Sequence, residues 1–142
     1  MGGGNSGKGG GKTSHAKVLR DELGGKLRPQ FGTHKNEKTG IEAHLNSRSL
    51  KKLGSDKAIE KSKANGFTIS EHFEAAGQIT ALYKKAELVE TRPDKNGSAQ
   101  ILSIKRFNAP FTLESGRKAN AYITVKESVD SGHKIYSVEL RE

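Results

Sequence analysis

Ala119-Asn120-Ala121-Tyr122-Ile123-Thr124-Val125-Lys126-Glu127, followed by Lys134-Ile135-Tyr136-Ser137-Val138-Glu139-Leu140, decides the fold. Both stretches alternate apolar and polar residues, the period of a half-buried strand. In the first, Ala121, Ile123 and Val125 face one way, and Tyr122, Thr124 and Lys126 the other. Asp130-Ser131-Gly132 supplies a turn between them. The pair reads as the closing hairpin of an antiparallel sheet. A phenol, a hydroxyl and an ammonium on one sheet face make a surface able to hold a phosphate. In the second strand Tyr136 shares the parity of Val138 and Leu140, so alternation alone also allows Tyr136 a place in the core.

Working outward, residues 88–91 and 99–108 read as two earlier strands, separated by the turn Pro93-Asp94-Lys95-Asn96-Gly97. Glu114-Ser115-Gly116 turns the chain into the closing hairpin. Evenly spaced strands with tight turns predict a four-stranded antiparallel meander.

Helices precede it. Thr68-Ile69-Ser70-Glu71 has the spacing of a capping box. It opens a predicted helix over residues 70–86, in which Phe73, Ala76, Ile79 and Tyr83 form one apolar stripe. Shorter helices are predicted over residues 16–23, 49–53 and 56–64, the last ended by Asn65-Gly66. Residues 27–39 read as irregular, and 41–45 as a short extended segment. The expected fold is α+β, with N-terminal helices packed on a C-terminal antiparallel β-sheet. Residues 1–14 read as a glycine-rich linker and residues 15–142 as one domain. Gly11-Lys12-Thr13 is not a phosphate-binding P-loop, because Ser6 stands where that motif needs glycine.

The chain carries 25 Lys and Arg against 16 Asp and Glu, a net charge of +9. That excess favours polyanionic partners, of which nucleic acid, an anionic membrane surface and an acidic protein all qualify. Cysteine is absent, which excludes a disulfide scaffold, a thiolate metal site and a cysteine nucleophile. No apolar run approaches the roughly 20 residues of a membrane-spanning helix. No pair of histidines has zinc spacing and no acidic cluster suits magnesium, so neither metal nor cofactor is expected.

His72, in the first turn of the capped helix, suits proton transfer, or else simply serves the capping turn. His34 and His44 are reserve acid–base candidates; His15 and His133 are weaker. Alternation sends Lys105 and Arg106 to opposite faces; either one of them holds a phosphate, or they belong to an exposed sheet face paired with Glu139 or Glu127. Lys51, Lys52, Lys57 and Lys61 lie in a basic helical segment. It fits a nucleic-acid backbone, or equally a solvated face. A metal-free ribonuclease would need a base for the 2′-OH, cations and hydroxyls for the phosphorane, and an acid for the leaving 5′-oxygen.

Asn65-Gly66-Phe67, Glu71-His72-Phe73, Leu82-Tyr83, Pro93–Gly97, Ile104-Lys105-Arg106-Phe107, Ile123–Glu127 and Tyr136 follow in order and spacing a recognisable pattern. It resembles C-terminal domains of phage polyvalent proteins and of polymorphic toxins, including contact-dependent growth inhibition effectors. These are similar in layout to the barnase–EndoU–colicin–RelE group. The resemblance implies a metal-independent endoribonuclease cutting tRNA, with His72, Arg106 (or Lys105), Thr124, Lys126 and Tyr136 as the functional set. It implies an acidic cognate immunity protein, secretion within a larger delivery protein, and action in the target-cell cytoplasm, with no membrane contact once folded. The competing expectation is a noncatalytic nucleic-acid-binding or structural module of a polyvalent protein.

Overall fold

The computed structural model describes residues 10–94 and 99–142, with side chains from residue 15 onward. Residues 1–9 of the expected linker and most of the turn at 93–97 lie outside the described residues. In chain order the elements are α1 (Gly10–Leu27), a short 3-10 turn (Arg28–Gln30), β1 (Gly32–Lys35), β2 (Glu42–Leu45), α2 (Ser47–Leu53), α3 (Asp56–Ala64), α4 (Ile69–Ala76), α5 (Ile79–Lys85), β3 (Glu87–Arg92), β4 (Ile101–Thr112), β5 (Lys118–Ser128) and β6 (Gly132–Arg141). The fold is α+β, helices first and the main sheet after them.

The predicted meander is present, with β3, β4, β5 and β6 antiparallel neighbours in sequence order. The sheet is larger than expected. Residues 27–39, read as irregular, include β1, which forms an antiparallel hairpin with β2. That hairpin joins β6 through a short parallel pairing, Ala43 opposite His133 and His44 opposite Lys134. The six-stranded order is β1-β2-β6-β5-β4-β3. Only long-range contact makes β1 a strand, since its Gly-Thr-His-Lys sequence has little apolar content.

Ala121, Ile123 and Val125 of β5 are fully buried, as are Phe107 of β4 and Leu140 of β6. Cross-strand register puts them on one face, beneath the helices. Tyr83 of α5 meets Phe107 edge-to-face with centroids 5.0 Å apart, and its hydroxyl donates to Ile41 O at 2.8 Å. Buried Asn36 donates to both Tyr83 O and Ala86 O, which ties the β1–β2 connection to the end of α5.

The helix predicted over 70–86 is two helices. Its capping box forms as expected, with Thr68 N donating to Glu71 Oε1 at 2.9 Å and Glu71 N to Thr68 Oγ1 at 3.1 Å. The break falls at Gly77-Gln78, where Lys26 of α1 presses close. A Cβ at Gly77 would lie 3.1 Å from Lys26 Cδ. The halves then serve different partners, α4 against α1 and β6, α5 against β1 and β4. Asn65-Gly66 ends α3 as read from sequence. Gly66 has φ +91°, and the bonds Phe67 N to Ser62 O and Gly66 N to Lys63 O complete a Schellman motif.

His72 lies inside this framework. It is fully buried, so its role in the fold is larger than a capping turn requires. Its Nε2 lies 2.8 Å from Leu53 O, a carbonyl that only accepts, so Nε2 carries the hydrogen. Nδ1 is then an acceptor, filled by the Ser62 hydroxyl at 2.7 Å. Ser62 Oγ in turn accepts Leu140 N–H at 3.0 Å. Asn65 Nδ2 donates to Leu140 O at 2.8 Å. Beyond the end of β2, α3 thus supplies with side chains the hydrogen bonds a neighbouring strand would give β6.

Burial holds the His72 pKa below 6.5, against a smaller upward pull from Leu53 O. The folded state therefore binds fewer protons than the unfolded chain just below pH 6.5. Stability from neutral His72 is complete above pH 6.5 and falls as pH drops through the lower folded value. Burial also lowers the pKa of His133, which adds a change of the same sign. Urea unfolding should show stability declining below pH 6.5, with a shallower decline in His72→Gln. Ser62→Ala should cost about 2 kcal/mol at neutral pH, because it strands Leu140 N–H and His72 Nδ1 in the interior.

Candidate nucleic-acid interface

The sheet face opposite the helical core is read row by row from the register. Arg92, Ile104 and Lys126 stand opposite one another across β3, β4 and β5. The next row is Glu90, Arg106, Thr124 and Ser137, and the third is Asn108, Tyr122 and Glu139. Rows on one face repeat every two residues, about 6.8 Å apart along the strands.

Tyr136 reaches this face through a β-bulge. Thr124 pairs with Ser137 and Val125 with Ile135, so Tyr136 is the extra residue of β6. Ile135, Val138 and Leu140 all remain in the core. Simple alternation, which groups Tyr136 with Val138 and Leu140, fails at this point. The bulge releases Tyr136 from the core parity.

A cleft of about 300 Å³ lies between these rows and the α2–α3 segment. Its lining brings together Arg106, Thr124, Lys126 and Tyr136, and adds Lys52, Lys57 and Lys61 from the helices. With Arg92, six cationic side chains line it, against the carboxylates of Asp94 and Glu139. Lys126 Nζ sits 3.7 Å from the Tyr136 ring centroid and Lys52 Nζ 5.4 Å from it. Burial pushes the Tyr136 phenol upward, but the two ammonium charges outweigh it, and the net pKa is below 10.0. Glu139 Oε2 is held by Arg141 Nε at 3.1 Å, and the Arg141 guanidinium lies 3.9 Å from the Tyr122 ring centroid.

The other candidates sit elsewhere. None of the five histidines lines the cleft. His72 is in the core, with both ring nitrogens bonded to protein. His34 Nε2 donates to Gln30 O, and His44 Nδ1 bonds Thr33 Oγ1. Lys105 points to the face opposite Arg106, as alternation requires, with its Nζ 3.4 Å from Glu127 Oε1 and 2.8 Å from Ser103 Oγ. Lys51 lines a different concavity, beside Arg20 and Leu23 of α1. Among the described residues no three His, Asp or Glu side chains gather as a metal ligand set.

Sequence reasoning missed Arg92, Ser137 and Glu139. For the last two a signal existed: with Val138 and Leu140 in the core, their neighbours must face the other way. Arg92 lay one residue beyond the strand expected over 88–91.

A family model for large polyvalent protein-associated domain 3 matches residues 14–136. The chain belongs to this family. No curated protein and no solved structure matches it. The polyvalent-protein half of the sequence resemblance is thereby shown. The cleft of this polyvalent-protein-associated domain is cationic, with one phenol between two lysines. No helix among the described residues is long and apolar enough to cross a membrane.

Because Lys126 holds the Tyr136 pKa down, Lys126→Met should raise it. Ultraviolet titration of phenolate, taken as the difference between each protein and its Tyr136→Phe counterpart, reads the shift. Lys52→Met should move it the same way by less, from its greater distance.

Proposed function

We propose that this domain binds RNA in the cationic cleft and cleaves it without a metal ion. One observation carries the reading: Arg106, Thr124, Lys126 and Tyr136, from three strands, converge on one cleft roofed by Lys52, Lys57 and Lys61. Cations concentrated on a partly enclosed surface favour a polyanion and supply charge where a phosphorane forms. The resemblance to the barnase–EndoU–colicin–RelE group supports the same class.

In the proposed reaction the ribose 2′-OH attacks the adjacent phosphorus and loses its proton to the Glu139 carboxylate. Arg106, Lys126 and the Thr124 hydroxyl stabilise charge on the non-bridging oxygens. The phosphorus–5′-oxygen bond breaks, and Tyr136 gives its proton to the departing oxygen. The products are a 2′,3′-cyclic phosphate and a 5′-hydroxyl. A phenol with a lowered pKa is a better acid at neutral pH than an ordinary tyrosine. His72 takes no part in this chemistry and acts through stability alone. The expected substrate is tRNA. An acidic immunity protein covering the cleft, and delivery into a neighbouring cell as part of a larger protein, complete the proposal.

A second reading, a noncatalytic nucleic-acid-binding module of a polyvalent protein, is favoured by the lack of any histidine in the cleft. Incubation of purified protein with total tRNA, with and without EDTA, separates the two. Cleavage expected under the first reading survives EDTA, leaves cyclic phosphate ends and spares 2′-deoxy substrates. Tyr136→Phe should slow it by roughly 100-fold or more while RNA binding persists. Binding by the wild-type protein with no cleavage would select the second reading.

A further inference from the structure

The cleft continues past its central row toward the open edge of the sheet. β3 is the terminal strand. On it Arg92 stands opposite Ile104, and Arg106 stands opposite Glu90. The two arginines are therefore diagonal neighbours on the same face, about 7–8 Å apart between backbones. Arg92 Nη1 and Arg106 Nε are closed off from solvent, and neither has a hydrogen-bond partner among the described residues. A guanidinium that lines an open concavity can give a phosphate oxygen a charge-assisted bond.

A second concavity, lined by Glu90, Arg92, Pro93 and Arg106, adjoins the cleft. Both arginines also line the cleft itself. The pair is thus the saddle between two concavities, and a ligand crossing it meets guanidinium on both sides. Arg92 forms an ion pair with Glu90, whose Oε2 lies 3.3 Å from its Nε. That carboxylate is partly exposed, and such a pair competes weakly with a phosphate.

We infer that Arg92 grips a second phosphate, beyond the one held at Arg106, Thr124 and Lys126, so that the ligand is a single polynucleotide strand crossing the β3 edge. This rests on the RNA reading of the cleft and adds to it a direction and a minimum length. An isolated phosphate would occupy the Thr124–Lys126 end and leave Arg92 unused. A strand with consecutive phosphates uses both ends. Arg92 is a binding and positioning residue, not a catalytic one.

The test is equilibrium binding of a fluorescein-labelled, single-stranded 2′-O-methyl oligouridylate, which cannot be cleaved, followed by anisotropy across a KCl series. Arg92→Gln should reduce the slope of log affinity against log salt by about 0.7, the value of one phosphate contact on a single strand. Arg92→Lys keeps the charge and should keep the slope. Lys38→Gln, an exposed charge in the β1–β2 connection, should leave it unchanged. Thermal melts check that each variant folds. If Arg92→Gln does not fold, Glu90→Gln reads the same contact in the other direction. Freeing Arg92 should tighten binding, and unchanged affinity would overturn the inference. An unaltered slope in Arg92→Gln beside a reduced slope in Arg106→Gln ends the ligand at Arg106. The second subsite then fails while the RNA reading stands. No binding by the wild-type protein removes both.

Discussion

Leu140 N–H to Ser62 Oγ, and the Ser62 hydroxyl to His72 Nδ1, are the bonds on which the arrangement of this domain depends. They join the last strand to α3 and α4, and His72 Nε2 extends the line to the end of α2 at Leu53. A strand edge left unpaired in the interior would carry bare amide and carbonyl groups. Here α3 satisfies them, so it must lie at the edge of β6. That placement turns Lys57 and Lys61 toward the polar face of the sheet. The wall of the cleft is thus set by a neutral, fully bonded histidine inside the protein. Burial favours the same protonation state that the hydrogen-bond directions require.

The cleft also depends on one irregularity. Without the bulge in β6, Tyr136 would be a core residue and the Lys52 and Lys126 ammonium groups would face each other with no ring between them. The bulge turns one phenol into that space, and each cation lies near its π-face. Like charges gathered on a sheet repel, and two of the carboxylates nearby also pair with arginines, Glu139 with Arg141 and Glu90 with Arg92. A bound anion would relieve that repulsion. The opposite face solves the same problem internally, where Lys105, Ser103 and Glu127 form a bonded group. The contrast between Lys105 and Arg106, adjacent in sequence, is the clearest sign that the two faces have different tasks.

Much of this was legible beforehand. The alternation in residues 119–127 placed Ala121, Ile123 and Val125 inside and Thr124 and Lys126 outside, because a pleated strand allows no other arrangement over so long a run. The Thr68–Glu71 cap and the Asn65-Gly66 stop are local bonds between near neighbours, and such signals survive folding. Opposite faces for Lys105 and Arg106 followed from parity. The reading failed where a distant contact decides. Nothing near Gly77 reveals that the helix will break there, with α4 packed on α1 and α5 on β1, and nothing in Gly32–Lys35 reveals that β2 will pair with it. His72 looked like a site residue because its chemistry suits one; that Ser62 and Leu53 consume both its nitrogens is a fact of packing.

The sequence by itself determined the class of fold, the apolar face of the sheet, the helix caps and the cationic character of the surface. Each of these follows from periodicity, turn chemistry or composition, which act over a few residues or over the whole chain at once. The tertiary structure alone decided which cations share a cleft, that Tyr136 leaves the core for it, that His72 does not enter it, and that Arg92 stands at its open edge. Those outcomes depend on strand register, one bulge and the seat of α3 against β6. They join residues up to 78 positions apart in the chain, a range at which no local pattern carries information.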